Sequence, residues 1–395
     1  MEMSEVGSEE EGIAVTSIAS VTLDSQPSCL EFAKTHNLLV VGTYNLTDQA
    51  GSKQSDDEVN LPSQKRTGSL LVFHITRQTA KLLQTKVLPY AILDLHFSPR
   101  NPSLFAIATS VGTVCMFTID CACNSLLQIV KSTQVCEPSI LVLSLSFQPP
   151  DHGTTDETSL LAVSLSNGHV AVLDSGKIEQ SIATVPTHSE EAWTVVWSKP
   201  PANPESEETM APLYLYSGGD DSLLAKRRAN LLLSAQESSS EYGSSSQDMK
   251  THGAGVTAIL PIDDQSDGVV ITGSYDEYVR ILIPPKHGQG KAKVLAEKRL
   301  GGGVWRLSRQ FGIEAYVALE TVKFNVLASC MHSGARVLQI DKTAGVWTIN
   351  IIARFTEHES MNYASDVRIG KEDTVFVSTS FYDRRLCVWN LRDIR

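Results

Sequence analysis

The stretch Val269-Val-Ile-Thr-Gly-Ser-Tyr-Asp-Glu-Tyr-Val-Arg-Ile-Leu-Ile283 is two short apolar runs around a polar turn. Apolar side chains alternate on either side of Gly-Ser-Tyr-Asp-Glu, the two-residue period of a β-strand, and Gly, Ser and Asp are residues that turns favour. It reads as the second and third strands of a small antiparallel sheet. The same design recurs in Leu161-Ala-Val-Ser-Leu-Ser-Asn-Gly-His-Val-Ala-Val172, in Leu215-Tyr-Ser-Gly-Gly-Asp-Asp-Ser-Leu-Leu224 and in Phe376-Val-Ser-Thr-Ser-Phe-Tyr-Asp-Arg-Arg-Leu-Cys-Val-Trp389. A further alternating run comes ahead of such pairs, beginning at Ile92, Val142, Ala192, Val256, Val304 and Ala364, at spacings of 50, 50, 64, 48 and 60 residues. Cys29-Leu-Glu-Phe32 is an earlier member and makes seven.

Seven repeats of a four-stranded unit predict an all-β chain folded as one seven-bladed WD40-type β-propeller. A single blade has two faces to bury and needs its neighbours to cover them, so the repeats form one domain. The expected bounds are a disordered acidic N-terminus over 1–12 and a propeller over 13–395. The blades fall at approximately 28–76, 91–120, 140–176, 190–229, 253–285, 301–341 and 362–393. Ile13 to Leu23 alternates well enough to supply an outer strand that closes the ring against blade seven. Two polar stretches, 47–67 and the serine-rich 234–250, have too little apolar surface to offset their ordering entropy and are expected to be mobile insertions. The usual Trp-Asp ending survives only in Cys387-Val-Trp389-Asn390. His188, His252 and His358 precede inner strands, where this repeat places a structural histidine bonded to a turn aspartate.

Composition bounds the function. The chain of 395 residues carries 45 acidic and 33 basic side chains, a net charge of −12, which argues against neutralising nucleic-acid phosphates. No apolar run is long enough for a membrane span, and the start MEMSEVGSEEEG is acidic where a targeting signal would be basic, so a cytoplasmic protein is expected. The seven cysteines include no pair of pairs at zinc spacing and read as reduced packing residues, with no metal expected. Familiar catalytic and phosphate-binding motifs are absent, and no cofactor is expected. A closed ring leaves no sheet edge that demands a partner, which favours a monomer.

The polar residues converge nonetheless. In such a blade, the turn between second and third strands and the entrance to the innermost strand open on one face. That face should carry Tyr44, Asp220, Asp221, Tyr275, Asp276, His332, Ser333, Tyr382 and Asp383 from turns. Entrances should add Glu191, Trp193, Trp305, Arg306 and Tyr363. Carboxylates, aromatic rings, a histidine and an arginine around one mouth suit an elongated cationic side chain. The blander reading gives Asp221, Asp276 and Asp383 to blade stabilisation and the tryptophans to packing. His332, in Ser329-Cys-Met-His-Ser-Gly334, has no evident structural duty.

Several of these segments resemble one family. Leu39-Val-Val-Gly-Thr-Tyr-Asn-Leu46, Ala91-Ile-Leu-Asp94, Glu191-Ala-Trp193, Tyr216-Ser-Gly-Gly-Asp-Asp221, Thr272-Gly-Ser-Tyr-Asp-Glu277, Gly302-Gly-Val-Trp-Arg306, Ala328-Ser-Cys-Met-His-Ser-Gly334 and Ser380-Phe-Tyr-Asp383 look like the WD-repeat diphthine methylesterases of diphthamide biosynthesis, also called diphthine methyltransferases. They span six blades in the same order. The serine-rich stretch and the end of blade five, Ile281-Leu-Ile-Pro-Pro285, depart from the pattern.

The resemblance implies hydrolysis of the methyl ester of methylated diphthine on a modified histidine of translation elongation factor 2, giving diphthine and methanol. On that reading Trp193, Trp305, Tyr275, Tyr363 and Tyr382 cage the quaternary ammonium by cation–π attraction, with Glu191 and Asp220 adding charge. His332 serves as base, oriented by Asp276 or Asp383, and Arg306 stabilises the oxyanion. Water is the default nucleophile, with Ser333, Ser274 and Cys330 as alternatives. Two other readings stay open: a non-catalytic adaptor that binds elongation factor 2 or a pathway enzyme, and an actual methyl transfer, for which no binding loop for S-adenosylmethionine is apparent.

Overall fold

A computed structural model describes residues 11–33, 37–47, 65–120, 126–150, 160–174, 181–198, 213–229, 246–262, 268–310, 322–370 and 374–391. The strands among them form seven sheets, arranged as the blades of a β-propeller. Blade five takes Val256–Pro261, Val270–Ser274, Tyr278–Ile283 and Lys293–Arg299 in order from the channel outward. Its second and third strands pair from Val270↔Leu282 to Gly273↔Val279. The turn between them works because Glu277 takes a left-handed φ of 71° and the Asp276 carboxylate accepts the Tyr278 N–H at 3.1 Å. The other innermost strands are Pro27–Phe32, Ile92–Phe97, Val142–Phe147, Thr194–Ser198, Arg306–Gln310 and Ala364–Ile369.

Period-two alternation does a particular job in this architecture. Successive side chains of a strand point to opposite faces, and here both faces are covered. Leu38–Thr43 is buried throughout. Leu39 and Val41 pack toward blade seven with Val375, Val377 and Leu386, whereas Leu38 and Val40 pack toward blade two with Ile92, Phe105 and Phe117. Apolar clusters of this kind fill every blade-to-blade junction.

The three structural histidines are buried and bonded to second strands. His188 Nδ1 meets Asp221 Oδ1 at 3.0 Å and its Nε2 meets Ser217 Oγ at 2.9 Å. His252 Nε2 meets Thr272 Oγ1 and His358 Nε2 meets Ser378 Oγ, both at 2.8 Å. Trp389 Nε1 donates to the same Ser378 hydroxyl at 3.1 Å, and its indole stacks between Phe355 and Phe376.

The N-terminal stretch serves two blades rather than one. Ala19–Thr22 pairs antiparallel with Arg385–Trp389 and closes the ring, while Ile13–Val15 runs parallel to Val346–Phe355 and extends blade six. Residues 1–10 of the acidic terminus lie outside the described residues, but Glu11 pairs with Lys298 at 2.7 Å. The two expected insertions lie outside them over 48–64 and 234–245. Lys65–Thr67 instead begins a strand that pairs with Asn45–Thr47. Ser246–Asp248 is the outer strand of blade four, paired to Leu224–Lys226 on one side and to Gly288–Gly290 on the other. An outer strand is held by backbone hydrogen bonds, so a serine-rich composition does not prevent it.

Candidate active site

Six rings from five consecutive blades line one mouth of the ring. Trp193 enters blade four, Tyr275 sits in the turn of blade five and Trp305 enters blade six. Tyr363 enters blade seven, Phe381 follows that blade's second strand and Tyr44 lies in blade one. Trp305 is the hub, with its centroid 5.5 Å from Trp193, 5.8 Å from Tyr275 and 5.1 Å from Tyr363. Tyr363 reaches Phe381 at 5.5 Å, and Phe381 reaches Tyr44 at 6.3 Å. All six are half-buried. With Ser28, Leu93, Leu143, Thr257 and Arg306 they enclose a cavity of about 250 Å³.

Carboxylates back this belt. Asp220 Oδ1 accepts the Trp193 indole N–H at 2.9 Å. Burial, the neighbouring Tyr363, and the charges of Asp220 and Glu191 all push the Tyr275 phenol well above its usual range, so this ring stays neutral. Neutral electron-rich faces beside fixed negative charge favour a cation without a strongly hydrated shell.

Where the aromatic cavity ends, a larger channel of about 980 Å³ begins, with Glu31, Asp94, His96 and Asp366 on its wall, and Arg306 lines both. Its Nη1 lies 2.8 Å from Oδ1 of Asp94, on the innermost strand of blade two. Asp94 is 1% exposed and also accepts the N–H groups of Leu95 at 2.9 Å and Leu145 at 3.0 Å. Burial opposes its charge, but Arg306, then His96, outweigh burial and hold the carboxyl far below its usual range. His96 Nε2 lies 3.5 Å from Asp94, and its Nδ1 lies 2.7 Å from Glu31 Oε2. His96 faces the open channel, with 41% of its side chain accessible. Burial would lower its pKa; the charges of Asp94 and Glu31 prevail and raise it to about 10. Across from Glu31, burial and that neighbour push Asp366 up to about 7, against the N–H groups of Phe32 and Val367 that bond its carboxylate.

The remaining expected site residues are placed elsewhere. Asp276 and Asp383 are not brought to His332. Asp276 pairs with Arg280 at 2.8 Å and accepts the Gly253 N–H at 2.8 Å, while Asp383 accepts the Glu359 N–H at 3.1 Å. Both stitch the loop that carries a structural histidine, which is the duty of a blade aspartate. His332 is exposed on its turn and, among the described residues, lines neither cavity. Tyr382 is 67% exposed and leans on Phe381 rather than lining the cavity. Burial pushes the Cys330 thiol up to about 12, and the buried Ser274 hydroxyl donates to the Ala254 carbonyl, so neither is a ready nucleophile.

Three relatives align with most of this chain. It is 32% identical over 359 residues to a protein of Schizosaccharomyces pombe named diphthine methyltransferase, covering 89% of this chain and 90% of that one. The chain belongs to the diphthine methyltransferase family. A Saccharomyces cerevisiae protein of the same name is 26% identical across 92% of this chain and 95% of its own. One from Homo sapiens is 24% identical, covering 84% and 69% respectively. No family model matches the sequence. Among solved structures, a chain of the mitotic checkpoint complex superposes with a TM-score of 0.62 over 100% of this chain and 96% of its own, at 12% identity, a likeness of fold. Among the residues that line these two cavities, sequence reasoning passed over Asp94, His96, Glu31 and Phe381. The one available signal was a charged residue in the apolar run Ile92-Leu-Asp-Leu-His-Phe97, within a segment already matched to the family.

Proposed function

We propose that this protein hydrolyses the methyl ester of methylated diphthine on elongation factor 2. The observation that carries the reading is an aromatic cavity that ends at a fixed guanidinium. The substrate side chain ends in a carbon bearing both a trimethylammonium and the ester, so the two groups are recognised together. The rings take the ammonium, at about 0.5–2 kcal/mol per good contact. Arg306 meets the carbonyl oxygen and stabilises the negative charge that develops there, an effect for which a single lost donor costs about 100- to 1,000-fold in rate.

The reaction needs little else from the protein. A quaternary nitrogen next to the carbonyl withdraws electrons and makes that carbon electrophilic, so water under modest base assistance suffices. Water oxygen bonds to the carbonyl carbon, the bond to methoxide breaks, and the methoxide leaves as methanol after taking up a proton. The remaining water proton goes to solvent, leaving a carboxylate. The partner is the folded elongation factor, which presents its modified histidine to the mouth.

The test is a single-component reaction. Purified protein and elongation factor 2 bearing the methyl ester are mixed, and intact mass is followed with time. Loss of one methylene's mass over many turnovers supports the hydrolase. Stable binding with no change in mass would replace it with an adaptor.

A further inference from the structure

We infer that Asp94 is the positioning residue for Arg306, and that Glu31, His96 and Asp94 form a charge chain on the polar side of the channel that holds the guanidinium at the end of the aromatic cavity. The inference rests on the proposed hydrolysis and adds residues that do not touch the substrate.

Geometry carries it. Arg306 belongs to the innermost strand of blade six, and Asp94 to that of blade two. The blades between them are seven and one, so the pair reaches across the channel rather than along a sheet. Arginine is long and loses much side-chain freedom when fixed. A 2.8 Å ion pair with a carboxylate that is itself bonded to two backbone N–H groups supplies the fixing. The second guanidinium nitrogen, Nη2, lies 3.5 Å from the Leu93 carbonyl, and the group stays 26% accessible toward the cavities. Asp94 would be a costly isolated charge, and His96 on its other side shares the load, with Glu31 behind. Charges alternate along the chain: Glu31 negative, His96 positive, Asp94 negative, Arg306 positive. The arrangement has the logic of a buried group orienting a catalytic one, as a preorganised donor requires.

The experiment is a double-mutant cycle on ester hydrolysis. Asp94→Asn keeps the shape and removes the charge. It should lower kcat by about 10- to 100-fold while KM stays within about threefold, because the aromatic belt is untouched. Arg306→Gln should lose about 100-fold or more. In the Arg306→Gln background, Asp94→Asn should cost nothing further. A purely structural Asp94 would give losses that multiply, and that result overturns the inference. If Asp94→Asn is too unstable to purify, His96→Gln on the accessible side of the chain takes its place, with a smaller kcat loss that must likewise vanish in the Arg306→Gln background. No turnover by the unaltered protein removes the hydrolysis reading and this inference together; turnover with multiplying losses removes this inference alone.

Discussion

The Trp193 indole donates to Asp220 at 2.9 Å, so a carboxylate from one turn of blade four fixes a ring at the entrance of the same blade. The bond has two consequences. It orients one wall of the aromatic cavity, and it leaves the carboxylate's charge at the belt, where it acts on Tyr275 as well. Orientation and charge can be separated by substitution. Asp220→Asn keeps an oxygen for the indole N–H and loses the charge, whereas Asp220→Ala loses both. Asparagine should weaken binding of tetramethylammonium about two- to fivefold, the scale of an exposed ion pair, and the effect should shrink at high salt. Alanine should weaken it more. Quenching of tryptophan fluorescence reads both.

Trp305 touches three other rings of the belt, whereas each remaining member touches at most two of them. Trp305→Ala should therefore raise KM for the ester substrate about 2- to 30-fold, the range expected when a cation–π contact of about 0.5–2 kcal/mol is lost. A steady-state comparison with the parent protein checks it. An unchanged KM would mean that the ammonium does not rest on this belt.

His332 makes no hydrogen bond or ion pair among the described residues and is exposed on its turn. His332→Ala should leave the melting temperature unchanged and keep turnover within about threefold, since a general base usually contributes about 100-fold or more. A loss on that larger scale would return the base to this residue.

The repeat was legible because each blade repeats the same physical demand: alternate apolar side chains for two covered faces, and small polar residues for the turn. Val269 to Ile283 alone states it. The aromatic belt was legible by the same route, because strand entrances and turns share one face, and five of the six lining rings fall on residues the pattern had brought to that face. Phe381 was lost because a phenylalanine at a strand end reads as packing. Asp94 was lost for a deeper reason. A carboxylate on an innermost strand acquires meaning only from what faces it across the channel, and its partner Arg306 lies four blades further along the chain. The serine-rich segment misled in the other direction, since composition says nothing about backbone pairing of Ser246–Asp248 with Leu224–Lys226.

Asp221 tests the division between structural and functional aspartates. Its carboxylate accepts the Ser189 N–H at 2.9 Å and meets His188, whose side chain is fully buried. Asp221→Ala leaves that imidazole nitrogen without its partner and should destabilise the protein by about 1–3 kcal/mol. Thermal unfolding should show a lower melting temperature. KM and kcat, measured well below it, should stay near the parent values, because Asp221 lines neither cavity.

The charge chain should also be visible in stability against pH. His96 has its pKa raised from 6.5 to about 10 by Asp94 and Glu31 against the opposing effect of burial. A base whose folded pKa exceeds its unfolded value contributes its stabilisation in full below pH 6.5, and that contribution is lost as pH rises toward 10. Asp366, raised to about 7, acts in the same direction but is spent at lower pH, as the folded state gives up a proton that the unfolded state has already lost. The charged groups around His96 on this side of the channel are Glu31, Asp94, Arg306 and Asp366. Chemical denaturation of the parent protein should therefore give a midpoint that falls between pH 7 and 10. In His96→Gln that fall should be shallower, with the two proteins differing more at pH 7 than at pH 10. Parallel curves across that range would mean that the imidazole carries no charge between the two carboxylates.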